Sequence, residues 1–585
     1  MRLRWALALW LVATTGLAQD EVRVRLENTP GRDKLVAVVT SVAPGPSHVG
    51  FGWVDVRLTN PGAMPHRVEL ELARVALYQA DVGMHKTLTL GPRAEERVTL
   101  PLASSGYGFR LNIIVDGVDL AERDRPFAGS RNRAPVALLL ITDDSRLAGD
   151  VRAAVRKAIV GSRYLRVAIR SVRPGRLPSH VDRMTGFPVV FVDARARGLT
   201  SERQECLSQA LRAGAGVVLV GAGTLPPGSL ARLLARADAR SGVFGFGHWL
   251  ATDSMAEFNS ERFRSWYRSL PGLASKSAKP FTDARFVTYR IPGLGEVPMT
   301  AFLVLILGFA LLVGPVNFYV VSRKLKRPLL LFLTVPVIGG VFTAMILGYG
   351  LASEGFGIRG VAESLTLLDQ REHMAVTRCA RTLYAGIEPD RLRPGPGTFV
   401  ESPLVARDGR RHAQRYHVDL DDGRSIAGSA LPSRTLTPMF TETIAPARVR
   451  LRFRRRDDGK LDLLAGADFA PLPSEGSIVF RDFSGQWFWN DGAERMRPVS
   501  EREGKLRFKE LAAQLQVPRV LGGYRGAQPS AWVAARLEQR PLTPGSYLAL
   551  VGETPLFDTL GLDVAWDRRR HVVRGTLARE DVFDR

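Results

Sequence analysis

Two apolar segments separated by a short basic cluster constrain this chain more than any other feature. Val297 to Ser322 contains no charged residue, and neither does Pro328 to Ser353. Each is longer than the roughly 20 residues that an apolar helix needs to cross a bilayer core. Between them lies Arg323-Lys324-Leu325-Lys326-Arg327. Basic loops are retained on the cytoplasmic side, so Arg323, Lys324, Lys326 and Arg327 are expected to set the topology. The spacing predicts a transmembrane helix over 297–322, a cytoplasmic loop over 323–327 and a returning helix over 328–353. Residues 19–296 and 354–585 are then both extracytoplasmic. The plainer alternative, two core helices of a soluble protein, rarely produces adjacent uncharged runs split by a basic turn.

The N-terminus agrees with that address. Arg2 and Arg4 form a positive region, Trp5 to Ala13 an apolar one, and Gly16-Leu17-Ala18 a small-residue cleavage site. This is the pattern of a secretory signal peptide over 1–18; an uncleaved anchor is the alternative, but the apolar run is short for a span. The 81 basic and 58 acidic side chains leave a net charge of +23. On the outer side of a membrane such a charge excludes nucleic acid as the natural partner. Membrane lipid headgroups and anionic glycan polymers of the envelope are the expected neighbours, or the arginines simply solvate the surface. With only two cysteines in 585 residues, neither a disulfide scaffold nor a thiolate zinc cluster can form. No cofactor and no metal are expected.

The expected fold class is a multidomain α+β membrane protein. Over 19–130, alternation at Val22–Leu26, Val54–Leu58 and Arg67–Leu72, with further strands near Val98 and at Leu111–Val115, predicts an immunoglobulin-like β-sandwich. Over 134–296 the pattern changes to buried strands alternating with helices. Val136–Thr142, Leu165–Val172, Val189–Val192 and Val217–Val220 read as strands, and Arg146–Val160 and a segment opening at Thr200-Ser201 read as helices. This predicts a parallel α/β sheet, whose ligands bind at the carboxyl ends of the strands. Asp143, Asp144, Asp193 and Asp253 fall at such ends, where paired carboxylates can hold a metal or act as acid and base. Asp144 and Asp143 also suit the simpler role of capping the following helix.

The stretch Val190–Asp193, a helix reaching Leu211, and Gly214-Ala-Gly-Val-Val-Leu-Val-Gly221 resembles the class I glutamine amidotransferase-like fold. Active members carry a cysteine nucleophile on the turn after that last strand. Here the turn is Gly221-Ala222-Gly223, and Ala222 cannot attack a carbonyl. Cys206 belongs to the preceding helix. The resemblance therefore implies a degenerate domain kept for binding or structure.

Within the first apolar segment, Gly314-Pro315 and Asn317 are unusual. Pro315 removes a helical hydrogen bond and is expected to kink the span. Asn317 needs a partner, from the second span or from another protein. Pro336 and Gly339-Gly340 are expected to permit close helix packing. The string Gly314-Pro-Val-Asn-Phe-Tyr319, Arg323, Arg327-Pro328 and Thr334-Val-Pro336, with Phe244-Gly-Phe-Gly247, Asp253 and Trp266, resembles a group of bacterial two-span envelope proteins without a settled activity. That resemblance implies the domain order and an inner-membrane location, with the large domains in the periplasm. It implies membrane or envelope proteins as partners.

Residues 354–585 are expected to be β-rich. Val449, Leu451 and Phe453 alternate with arginines and run into an Asp457-Asp458-Gly459 turn, predicting a hairpin. Asp419, Asp421 and Asp422 lack the spacing of a calcium loop and read as turn chemistry. Trp487 and Trp489 are an aromatic platform for sugar or peptide, or else core. No GxSxG, HExxH, P-loop or CxxC motif is present. The leading expectation is a non-enzymatic envelope protein that binds or assembles partners. The alternatives are an envelope hydrolase using the strand-end aspartates, and a glycan- or lipid-binding module.

Overall fold

In the computed structural model the described residues are 20–26, 35–42, 51–74, 81–103, 109–119, 136–159, 167–178, 187–213, 215–221, 225–235, 240–244, 247–254, 299–324, 326–401, 415–421, 424–428, 430–465, 478–490, 495–514, 542–552 and 554–584, with isolated positions between them. The 1–18 leader, Ala222 and Asp422 lie outside the described residues. The chain is mixed α+β and strand-rich.

The N-terminal strands form where alternation is expected, at Asp20–Leu26, Phe51–Thr59, His66–Arg74, Glu95–Ala103 and Phe109–Val115. Leu35–Val42, Asp81–Leu90 and the two-residue Val118–Asp119 join them. One antiparallel sheet runs Asp20–Leu26, Leu35–Val42, Phe51–Thr59, Glu95–Ala103. Its inward Val54, Val56 and Leu58 share a core with Val68, Leu70 and Leu72 of the second sheet.

That second sheet crosses the expected boundaries at 130 and 354. Strand Arg415–Asp419 pairs in parallel with Asp81–Leu90, and Ser425–Gly428 continues the sheet beyond it. Leu383, Leu392, Ile426 and Met439 from the C-terminal half enter the same core as the N-terminal strands. A backbone ladder and a shared apolar core make this one folded body rather than two tethered ones.

Residues 136–252 form a six-stranded sheet in the order Val167–Val172, Val136–Ile141, Val189–Asp193, Gly216–Val220, Gly247–Thr252, Ser241–Phe244. All neighbours are parallel except the last pair. Val189–Asp193 and Gly216–Val220 are buried along their whole length, which is why they read as unbroken apolar runs. Helices Ser145–Ile159 and Ser201–Ala213 follow the first and third strands in sequence.

Helix Met299–Leu311 continues through wider helical turns at Leu312–Val316 and Tyr319–Lys324. Pro315 offers no N–H, and the Asn317 amide bonds to Leu312 O, five residues back. The helix thus accommodates the proline by widening into a π-turn. A second helix, Leu331–Glu354, enters strand Ile358–Asp369 after a short turn. That strand lies inside a twelve-stranded sheet, between Met374–Ala385 and Val564–Thr576.

Candidate functional site

The carboxyl ends of the parallel strands open into a cleft of about 600 Å³. Asp143, Asp144, Leu147 and Asp150 line it from the start of helix Ser145–Ile159. Asp193, Arg195, Ala196 and Arg197 line it from the end of strand Val189–Asp193, with Val220 and Ser254 behind. The cleft sits where strand order reverses around Val136–Ile141, the position at which open α/β sheets take ligands.

Asp193, Asp144 and Asp253 also have structural tasks. Asp193 is buried; its Oδ2 accepts the Thr142 hydroxyl at 2.8 Å and its Oδ1 the Arg195 amide at 3.1 Å. Thr142 Oγ1 in turn accepts from the Asp144 amide at 2.9 Å. Asp144 Oδ1 accepts from the Arg146 amide at 2.7 Å, the geometry of a helix cap. Asp253 is drawn away: its carboxylate pairs with Arg240 at 3.0 Å, and only its carbonyl, bound by the Arg195 guanidinium at 3.0 Å, faces this region. The structure therefore brings Asp143, Asp144 and Asp193 together, leaves Asp253 aside, and adds Asp150, Arg195 and Arg197. The arginines occupy the same strand end as Asp193, so the rule that selected the aspartate applies equally to them.

Trp487 and Trp489 are 2% and 7% exposed, in a strand, Trp487–Asn490, buried at every position. The aromatic platform gives way to core packing. Helix Glu501–Gln514 lies over the strand closely enough that a Cβ on Gly504 would meet the Trp487 ring at 2.6 Å. Arg481 and Arg507 cover the two indoles, at 5.5 Å and 5.4 Å from the ring centres. Arginines of strand Leu451–Arg455 find acidic partners: Arg454 with Asp462 at 3.1 Å and Arg455 with Asp482 at 2.7 Å. The hairpin forms as expected, turning with Gly459 at φ +77°.

His85, Asp419 and Asp421 point their ligand atoms together, within 4.8 Å of one another. Asp421 is already engaged, however. It accepts from Lys86 Nζ at 2.8 Å and from the Thr87 amide through both oxygens. The cluster works as a clasp between two strands that are remote in sequence.

One grouping had no local signal at all. Thr441, Cys379, Ser364 and His571 are register partners across four adjacent strands, and Ser364 Oγ lies 2.6 Å from His571 Nδ1. Both residues are sealed from solvent, at 2% and 0% exposure. The Phe557 ring lies 4.7 Å from the imidazole, tilted by 53°, and the Arg381 guanidinium sits over the Phe557 ring at 4.7 Å. Burial, reinforced by Arg569 and Arg381, pushes the His571 pKa down to about 3, and burial pushes the Cys379 thiol up. A serine–histidine pair without access to substrate acts as a neutral hydrogen-bonded joint, not as a nucleophile.

Phe302–Lys324 is long and apolar enough to cross a membrane, and most of it is unburied. The described apolar part of the second helix is Leu331–Ile346. The two touch through a T-shaped pair, Phe309 and Phe342, at 5.4 Å. A Cβ on Gly308 would make ordinary contact with Phe342, at 3.8 Å, while the space at Gly314, Gly339 and Gly340 is open, so none of these glycines marks a close helix approach. Asn317 and Val321, one turn apart, are the two buried residues of an otherwise largely exposed stretch. Neither Asn317 Nδ2 nor the buried Thr334 Oγ1 has a hydrogen-bond partner among the described residues.

No protein-family model and no curated protein matches this chain.

Proposed function

We propose that this chain is a non-enzymatic envelope protein, anchored by a two-span helical hairpin in a bacterial inner membrane, that binds or assembles partners on the periplasmic side. The observation carrying this reading is the pairing of Asp81–Leu90 with Arg415–Asp419. The first strand precedes the apolar helices and the second follows them. Strands of one sheet occupy one compartment, so a chain that leaves through Phe302–Lys324 must return. Leu331–Glu354 is the segment available for that return. The basic turn between them fits the cytoplasmic side.

The assembly role draws on three further points. Ile291 and Leu294, just before the first helix, pack against Val361, Ala380 and Tyr384 of the large sheet. The second helix leads into that same sheet. Packed residues just before the first helix, and a short turn after the second, join the outer body to the helices, as a scaffold requires. Among the described residues the buried Asn317 Nδ2 has no acceptor, a costly feature in an apolar setting that a partner helix can supply.

The test is capture of the tagged full-length protein from mild detergent. The reading expects a stoichiometric membrane protein that is lost from the Asn317→Leu variant. A protein that runs alone, with wild-type and variant indistinguishable, would contradict it.

A second reading, a ligand-binding or hydrolytic α/β domain with an amidotransferase-like ancestry, is favoured by one observation. Asp143, Asp144 and Asp193 do converge on a cleft of small-molecule size with Arg195 and Arg197 beside them. The full engagement of Asp193 by Thr142 and Arg195 weighs against its acting as a base.

A further inference from the structure

Strand Ile358–Asp369 pairs antiparallel with Met374–Ala385, and its first register partner is Ile358 with Ala385. Continuing that register past the strand ends sets Phe356 opposite Ile387. These two side chains are 60% and 61% exposed, among the most exposed large apolar residues outside the helical pair. Their backbones are locked together. The Gly386 amide donates to Gly357 O at 2.9 Å, and a Cβ on Gly386 would meet Gly355 O at 2.3 Å. Gly355 adopts φ +75°, which turns the chain sharply out of the helix and into the sheet. No larger residue could hold the two segments this close.

The position of this tip gives it a partner. Phe356 is two residues beyond Glu354, the end of the second apolar helix, so its Cα lies within ~7 Å of that terminus. Exposed apolar side chains grouped together, rather than scattered singly, are candidate contact sites. At a helix end, aromatic and aliphatic side chains settle at the boundary of headgroups and acyl chains. Exposed Glu388 and Asp390 follow at once, and they limit the tip to a shallow depth. The Arg434 amide, bound to Ala385 O at 2.7 Å, places a basic residue on the flank.

We infer that Phe356 and Ile387 form a membrane-docking tip, inserted into the outer-leaflet interface, that fixes the tilt of the large sheet on the bilayer. The inference rests on the two-span reading above. With the tip, four points (two helices and two side chains) set one orientation.

The experiment is nitroxide scanning of the full-length protein in phosphatidylcholine–phosphatidylglycerol liposomes, comparing collisions with oxygen and with a water-soluble nickel chelate. Cys206 and Cys379 are buried and are replaced by serine or alanine if they label. Labels go at Phe356→Cys and Ile387→Cys, with Phe332→Cys in the second helix and Met64→Cys in the bend between strands Phe51–Thr59 and His66–Arg74 as references; both reference sites are well exposed. The tip is expected to favour oxygen over nickel several-fold relative to Met64→Cys, at a shallower depth than Phe332→Cys. If 356 and 387 behave like 64 while 332 reads as lipid, the docking tip is wrong and the spans stand. If both probes are excluded at 356 and 387, a protein contact covers them and the lipid assignment falls. If 332 itself reads as water, the two-span reading fails and takes the tip with it.

Discussion

Lys86 Nζ lies 2.8 Å from Asp421 Oδ1, joining a strand that precedes the apolar helices to the turn closing a strand that follows them. With the parallel ladder beside it, this contact ties the two halves of the chain into one sheet. Burial opposes ionisation of Asp421, but the hydrogen bonds from Lys86 and Thr87 prevail and hold its carboxyl below the usual range. A carboxylate depressed in the folded state stabilises above its unfolded pKa and loses that contribution as pH falls through the folded value. Asp421→Asn is therefore expected to cost little at neutral pH, because the pair is partly exposed. It should reduce the loss of stability below about pH 4. Melting temperature against pH for both proteins measures this.

His571 has the opposite charge type and a wider window. Its folded pKa, about 3, lies below its unfolded value of 6.5. The unfolded chain therefore takes up the proton first. Stability from this group is complete above pH 6.5 and falls as pH drops from there toward 3, with a limiting slope of ~1.4 kcal/mol per pH unit. Denaturant unfolding of wild type and His571→Asn at several pH values should show a shallower acid slope in the variant. Equal slopes would mean that the imidazole is not held neutral by burial.

Trp487 and Gly504 form a fitted pair, ring against backbone. Trp487→Ala should destabilise by ~3–5 kcal/mol through the cavity it leaves. Gly504→Ala should cost ~1–3 kcal/mol by overpacking. Neither substitution is expected to alter binding of oligosaccharides, scored by calorimetry at a temperature where both variants stay folded. A selective loss of sugar affinity would restore the aromatic strand as a binding surface.

Asp193→Ala removes the acceptor for the Thr142 hydroxyl and the Arg195 amide, and ~1–3 kcal/mol of stability is expected to go with it. Asp143→Ala, at an exposed position, should be nearly neutral for stability. On the assembly reading both variants keep their captured partner. Loss of function in Asp143→Ala, with its melting curve unchanged, would move the weight to the cleft as a catalytic or ligand site.

Much of the local structure was legible because it has a period. The alternation of Val54 to Leu58 and of Val449 to Phe453, and the unbroken runs at Val136 and Val189, became the strands they announce. The carboxyl-end rule found Asp143, Asp144 and Asp193. It passed over Arg195 and Arg197 because basic residues carry no metal or acid–base signal. What sequence could not give is register between remote strands. The pairing of Arg415 with Asp81, or of Ser364 with His571, leaves no trace in either segment alone. The aromatic run at Trp487 was ambiguous for a related reason. Its covering helix, Glu501–Gln514, is what closes the tryptophan face of a strand that would otherwise present it to solvent.

The central claim, one outer body on a two-span hairpin, is tested most directly by the side on which three engineered cysteines react. Met64→Cys and Leu464→Cys sit at exposed positions of the two halves, and Lys326→Cys at an exposed position of the basic turn. In intact cells a membrane-impermeant maleimide should modify 64 and 464 from the outside and reach 326 only after permeabilisation. Modification of 326 together with the other two, or of 64 without 464, would contradict the account.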